Sequence, residues 1–118
     1  MNDRDPGCLF CRIVAGEIPS KRVFETESVL AFHDINPQAP VHGLVIPKAH
    51  IVSLNDITES NAAVMGDLFL AARRVAAELG VAASGWRAVF NCGRDAQMAV
   101  DHLHLHVLGG RPMKWPPG

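Results

Sequence analysis

The stretch His102-Leu103-His104-Leu105-His106-Val107-Leu108-Gly109-Gly110 decides how this chain is read. Histidine and aliphatic residues alternate through it, the period-two pattern of a β-strand. On a strand, His102, His104 and His106 project from one face, and Leu103, Leu105 and Val107 from the other. Successive histidines then stand about 7 Å apart. The aliphatic face can bury into a core, which leaves a face rich in imidazole. Each imidazole carries two ring nitrogens that need partners if buried. Three on one face make poor packing unless the rings bind a metal or do chemistry.

Composition frames that strand. The chain has 118 residues, 48% of them hydrophobic and 19% charged, which is the make-up of an ordinary globular protein. Its length is that of a single domain over 1–118, able to bury about two thirds of its unfolded surface. The formal net charge of -1 offers no basic field for nucleic acid. No apolar run reaches the roughly 18 residues of a membrane span. The opening Met1-Asn2-Asp3-Arg4-Asp5-Pro6 lacks the apolar centre of a signal peptide. The cysteine count of 3 is odd, with Cys8 and Cys11 close together, which suits a reducing cytoplasm better than a disulfide framework.

Working outward from the histidine strand, Cys8 to Gly16 reads as a short helix. Arg22 to Thr26 and Val29 to His33 read as two strands joined at Glu27-Ser28. Asn36 to Pro40 is a loop, because two prolines forbid regular structure. His42 to Pro47 reads as a third strand. A long helix spans Glu59 to Leu79, with Val64, Leu68, Ala71, Ala72, Val75 and Leu79 as its apolar stripe and Gly80 as its stop. Trp86 to Asn91 reads as a fourth strand, Cys92 to Ala99 as a loop, His102 to Leu108 as a fifth strand, and Gly109 to Gly118 as an extended tail. Five strands with short links and one long helix predict an α+β domain with an antiparallel sheet.

Several blocks now stand together: the His-Leu-His-Leu-His-Val-Leu run, Ala31 to His42, Leu44 to Ile51, and the ending from Leu108-Gly109-Gly110-Arg111 to Trp115-Pro116-Pro117-Gly118. They resemble the histidine triad (HIT) family nearly end to end, and the ending is similar to its Hint branch. The resemblance implies a HIT-like α+β fold whose dimer joins two five-stranded sheets into one continuous ten-stranded sheet. It also implies a hydrolase of purine nucleoside 5′-phosphoramidates that releases AMP or GMP through a nucleotidyl-histidine intermediate. No cofactor is implied for that catalysis. Dinucleoside polyphosphate hydrolysis, and nucleotide sensing without turnover, are the other activities open to it.

By the same resemblance His104 is the nucleophile, and His42, His102 and His106 line its site. A neutral imidazole is competent toward phosphorus, and covalent capture divides one hard displacement into two easier ones. Asp34 resembles the ribose anchor. Phe10, Phe32, Ile35 and Leu44 correspond to the apolar base pocket, although Phe32, Ile35 and Leu44 equally fit plain core. Asn91 matches an asparagine on the ribose and phosphate side, and Trp115 a tail residue that reaches the partner's site. His33, by alternation from Phe32, is expected to face away from the pocket.

Two features depart from that picture or add to it. Before the triad the Hint branch usually reads Gly-Gln-Ser or Gly-Gln-Thr, whereas this chain has Gln97-Met98-Ala99. Ala99 lacks the hydroxyl that contacts phosphate and leaving group, which predicts reduced or altered turnover with nucleotide binding retained. Cys8-x-x-Cys11 supplies two thiolates at a spacing suited to tetrahedral zinc. A redox pair and two buried thiols fit the same spacing. The resemblance implies His50 and His102 as the remaining ligands of a structural zinc.

Overall fold

The computed structural model describes residues 4–118, so residues 1–3 of the domain expected over 1–118 lie outside the described residues. The elements are α1 (Leu9–Val14), β1 (Arg22–Glu25), β2 (Val29–His33), β3 (Val41–Pro47), α2 (Ala63–Glu78), β4 (Trp86–Phe90) and β5 (Leu105–Gly109), with one 3-10 turn at Leu54–Asp56. The five strands form one sheet in the order β1-β2-β3-β5-β4, antiparallel at every pairing. This is the α+β architecture predicted from the sequence. The last strand, β5, enters between β3 and β4, which places His106 opposite Leu44 on one side and Val89 on the other.

Strand alternation divides the interior in two. Val29, Ala31, Val45, Leu103, Leu105 and Val107 face α2 and bury against its Leu68, Ala71, Ala72, Val75 and Ala76. Leu30, Phe32, Leu44 and Ile46 point the other way, against Cys8, Phe10, Cys11 and Ile13 of the α1 region. Helix α2 forms because its stripe recurs every three to four residues among good helix formers. It stops where Gly80 adopts a left-handed φ of +80° beyond the capping Leu79. At Gly43 the helix comes so close that an added Cβ would stand 2.9 Å from Val75 Cγ1.

Two boundaries differ from expectation by more than two residues. Helix α2 begins at Ala63 rather than Glu59. The residues ahead of it spend their polar groups locally: the Thr58 N–H donates to Asn61 Oδ1 at 2.7 Å, and Asn61 Nδ2 donates to the Asp56 carbonyl at 3.1 Å. Such bonds compete with a helical turn. Strand β5 begins at Leu105 rather than His102. The alternation persists through Leu103, which is buried on the α2 side, but the backbone bonds there leave the ladder. The Leu103 N–H donates to the Ile51 carbonyl at 2.6 Å, and the His102 carbonyl accepts from the His104 ring. No helix among the described residues is long and apolar enough to cross a membrane.

Candidate active site and metal centre

The face of the sheet away from α2 carries a cavity of about 750 Å³. Phe10, Phe32, Leu44, Ile35, Asp34, Ala99, His104 and His106 are on its wall. Phe10 is buried from α1 and meets the Phe32 ring edge-on at 5.6 Å and the His104 ring at 5.2 Å. Ile35 is fully exposed at the mouth, a lip rather than a core residue.

His104 lies at the foot of this cavity on the extended segment before β5. Its Nδ1 is 2.7 Å from the His102 carbonyl. A carbonyl only accepts, so Nδ1 carries the proton and Nε2 keeps its lone pair. The His106 ring centroid is 5.0 Å from that of His104. On its other side, His106 Nδ1 stands 2.9 Å from Nε2 of the buried His42. The Gln38 N–H donates to His42 Nδ1 at 3.0 Å, which leaves the His42 proton on Nε2. That proton is shared between His106 Nδ1 and Asp34 Oδ2, the latter at 3.3 Å. His106 therefore accepts at Nδ1 and carries its own proton on Nε2, which is buried with no hydrogen-bond partner. An unsatisfied buried donor is costly unless a ligand completes it.

Burial favours the neutral form of the His42 and His106 rings. It pushes the His106 imidazole down to about 4, helped by the neighbouring His104 and His42 and opposed by Asp34. The same desolvation lowers His42, again against the Asp34 carboxylate. Asp34 itself accepts from the Asn36 N–H at 2.8 Å through Oδ1. Its Oδ2 is turned toward His42.

Other expected site residues are placed differently. The His102 ring is fully buried and does not line the cavity; only its carbonyl reaches the site, because the ring is committed to the cysteines. Asn91 follows β4 and is not on the cavity wall. Trp115 is exposed, on a tail tied to β4 by Arg87 Nη1 donating to the Lys114 carbonyl at 3.0 Å. His33, expected to face away, lines the cavity between Phe32 and Asp34. Ser20 and Lys21 were not anticipated on the wall. The Ser20 hydroxyl is buried without a partner. The polar step from Pro19 into β1, next to an apolar strand, is the signal that marks them.

A second cluster joins Cys8, Cys11, His50 and His102, with one donor atom of each lying within 4.8 Å of the others. Cys8 Sγ to His102 Nδ1, Cys11 Sγ to His50 Nδ1 and His50 Nδ1 to His102 Nδ1 are each 3.3 Å, and Cys11 Sγ to His102 Nδ1 is 3.6 Å. Two sulfurs and two nitrogens around one tetrahedral zinc stand roughly 3.3–3.8 Å apart. His102 Nε2 lies 2.8 Å from the Pro47 carbonyl, so its proton is there and its Nδ1 lone pair faces the thiols. Burial pushes the Cys11 thiol up, against an N–H from Asp5 that lowers it. The donor set fits a closed structural metal site, with the outer hydrogen bond to a carbonyl that metal-bound histidines use.

The HIT domain family pattern matches residues 15–113. The chain belongs to the HIT family. A 13.2 kDa HIT-like protein of Azospirillum brasilense is 52% identical over 108 residues, which cover 91% of this chain and 88% of that protein. The crystal structure of a HIT family hydrolase from Legionella pneumophila superposes with a TM-score of 0.92 at 46% identity, covering 95% of this chain and 100% of that one. A histidine triad nucleotide-binding protein from Candida albicans superposes at 0.79 with 32% identity, covering 93% of this chain and 83% of that one.

Proposed function

We propose that this HIT protein, acting as one domain over 1–118, is a cytoplasmic hydrolase of the Hint branch that cleaves purine nucleoside 5′-phosphoramidates. The observation that carries the reading is the 2.7 Å bond from His104 Nδ1 to the His102 carbonyl, which leaves Nε2 as a lone pair inside an apolar cavity. The structural likeness to a HIT family hydrolase and to a histidine triad nucleotide-binding protein supports that chemistry.

In this reading the base lies against Phe10, Phe32, Leu44 and Ile35, and the ribose hydroxyls reach Asp34. His104 Nε2 attacks the α-phosphorus, the P–N bond breaks, and the amine leaves with a proton delivered from solvent. The phosphorylated ring is cationic, and the His102 carbonyl stabilises it through Nδ1–H. His106 gives its free Nε2–H to a phosphoryl oxygen, held in that tautomer by His42. Water then attacks phosphorus, Nε2 departs with its lone pair, two protons pass to solvent, and AMP or GMP is released. The displacement needs no cofactor. A metal on Cys8, Cys11, His50 and His102 acts structurally, tying α1 to the sheet.

The homodimer of the family follows in the same reading: β4 is an edge strand, Phe69 of α2 and Phe90 of β4 meet edge-on at 6.1 Å, and the tail that carries Trp115 is tied to β4 at Arg87. Phe69 remains exposed in the single chain. A second reading, a nucleotide sensor without turnover, is favoured by one observation, the missing hydroxyl at Ala99 on the cavity wall.

Steady-state turnover of a fluorogenic adenosine 5′-phosphoramidate by the wild type and His104→Ala, with AMP binding alongside, tests the proposal. Turnover lost in the variant supports it. Tight AMP binding with no wild-type turnover replaces it with the sensor.

A further inference from the structure

We infer that the Cys8–Cys11–His50–His102 centre is a positioning device for the nucleophile: metal held there fixes the His102 carbonyl that orients the His104 ring. The kinetic part of this inference rests on the reading of His104 as nucleophile. The structural part does not.

His102 is shared between the two sites. Its ring meets both cysteines and His50 through Nδ1 and the Pro47 carbonyl through Nε2. Its carbonyl accepts the His104 Nδ1 proton. Ring and carbonyl sit on one residue, so what seats the first sets the direction of the second. The segment from His102 to His104 precedes β5 and takes no part in the strand ladder. Besides the His102 ring bonds, the segment is tied outward by the Leu103 N–H to the Ile51 carbonyl, and Ile51 follows the ligand His50. Both anchors of the nucleophile thus lead to the metal centre.

A second route runs through α1. Phe10 lies between Cys8 and Cys11 and packs edge-on against the His102 ring at 5.9 Å and the His104 ring at 5.2 Å. A helix of 6 residues is too short to hold itself in water, so a tether at its N-terminal end fixes where Phe10 stands. Without a metal, two thiols and two imidazoles converge at 3.3–3.6 Å with His102 Nδ1 unprotonated. The cluster relaxes, the His102 carbonyl turns, and the His104 proton loses its single acceptor.

The test compares zinc-loaded and zinc-stripped wild type, with folding of each verified by circular dichroism. Nitrogen-15 spectra of labelled histidine report which nitrogen of His104 holds the proton. Single-turnover kinetics report formation of the nucleotidyl adduct. Loaded protein should show His104 as one Nδ1–H tautomer. Stripping should mix the two tautomers and slow adduct formation about ten- to a hundredfold, the size of effect that partners behind a functional histidine exert, with a smaller change in KM. Stripped, folded protein that keeps one tautomer and its adduct rate overturns the inference, and so does failure to bind zinc. If stripping unfolds the chain, zinc-loaded His50→Ala, which keeps three ligands, should show the same tautomer mixing to a lesser degree; an unchanged His104 spectrum there overturns it. Should loaded wild type form no adduct, the proposed function falls and the tautomer comparison still decides this point.

Discussion

His42 Nε2 and His106 Nδ1 lie 2.9 Å apart, and the direction of that bond is set from outside the pair, by the Gln38 N–H on His42 Nδ1. A backbone amide in a loop thereby determines which nitrogen of His106, 64 residues beyond His42 in the chain, offers a proton to the cavity. Replacing His42 by Ala removes that direction. His42→Ala should lower kcat about ten- to a hundredfold with a smaller change in KM, since the His106 donor acts mainly on charge developing in transfer. Steady-state kinetics on the phosphoramidate check it; a change confined to KM contradicts the relay.

Protonation offers a second test. The folded His106 ring is pushed down to about 4. The unfolded ring titrates near about 6.5. Between these values the unfolded chain binds the extra proton, so stability is fully present above about pH 6.5 and is lost as pH falls through 4. His42 is lowered too and adds in the same sense. Thermal melts from pH 8 to 4 should therefore fall steadily below about 6.5. The acid limb of kcat/KM should lie below 6.5. A limb at or above that value contradicts the neutral pair.

The loop before the triad predicts a gain. Gln97 has a left-handed φ of 58°, where the Hint branch usually carries glycine, and Ala99 stands on the cavity wall. Ala99→Ser restores a hydroxyl there, and one added hydrogen bond of about 1 kcal/mol corresponds to a several-fold rise in turnover. Unchanged kcat in Ala99→Ser, with AMP binding intact, defeats this account of the loop.

Packing gives a prediction independent of function. A Cβ at Gly43 meets Val75 Cγ1 at 2.9 Å, and both positions lie in the well-packed layer between β3 and α2. Gly43→Ala should cost about 1–3 kcal/mol. Gly43→Ala combined with Val75→Ala should lose less than the sum of the single losses, because the second change makes room for the first. Urea denaturation of the four proteins in this cycle measures it, and simple additivity rules out the contact as the cause.

How far the sequence carries the structure varies by element. Leu44-Val45-Ile46 and the α2 stripe announce their elements, because periodicity reports which face is buried. It does not report where backbone bonding changes partners. That is why the pattern runs ahead of the structure, to Glu59 where α2 starts at Ala63 after the Thr58 and Asn61 side-chain bonds, and to His102 where β5 starts at Leu105. The cavity wall depends on strand register. The pairing of Leu44 with His106 is invisible in a linear chain, and the wall positions of His33 and Ser20 have no periodic signal. The cysteine pair is legible as a ligand pair by its spacing, whereas His50 and His102 join it through the fold and came from the family resemblance. Asn91 and Trp115 fall outside the cavity of the single chain.

The division of the interior has a bearing on how such a protein changes over generations. The 16-residue helix and its apolar seam lie on one side of the sheet, while the triad and the metal ligands lie with the 6-residue helix on the other. Inheritance of the fold and inheritance of the chemistry are therefore written into opposite surfaces. Changes among the cavity histidines leave the helical seam on the opposite surface untouched, a starting point for binding without catalysis.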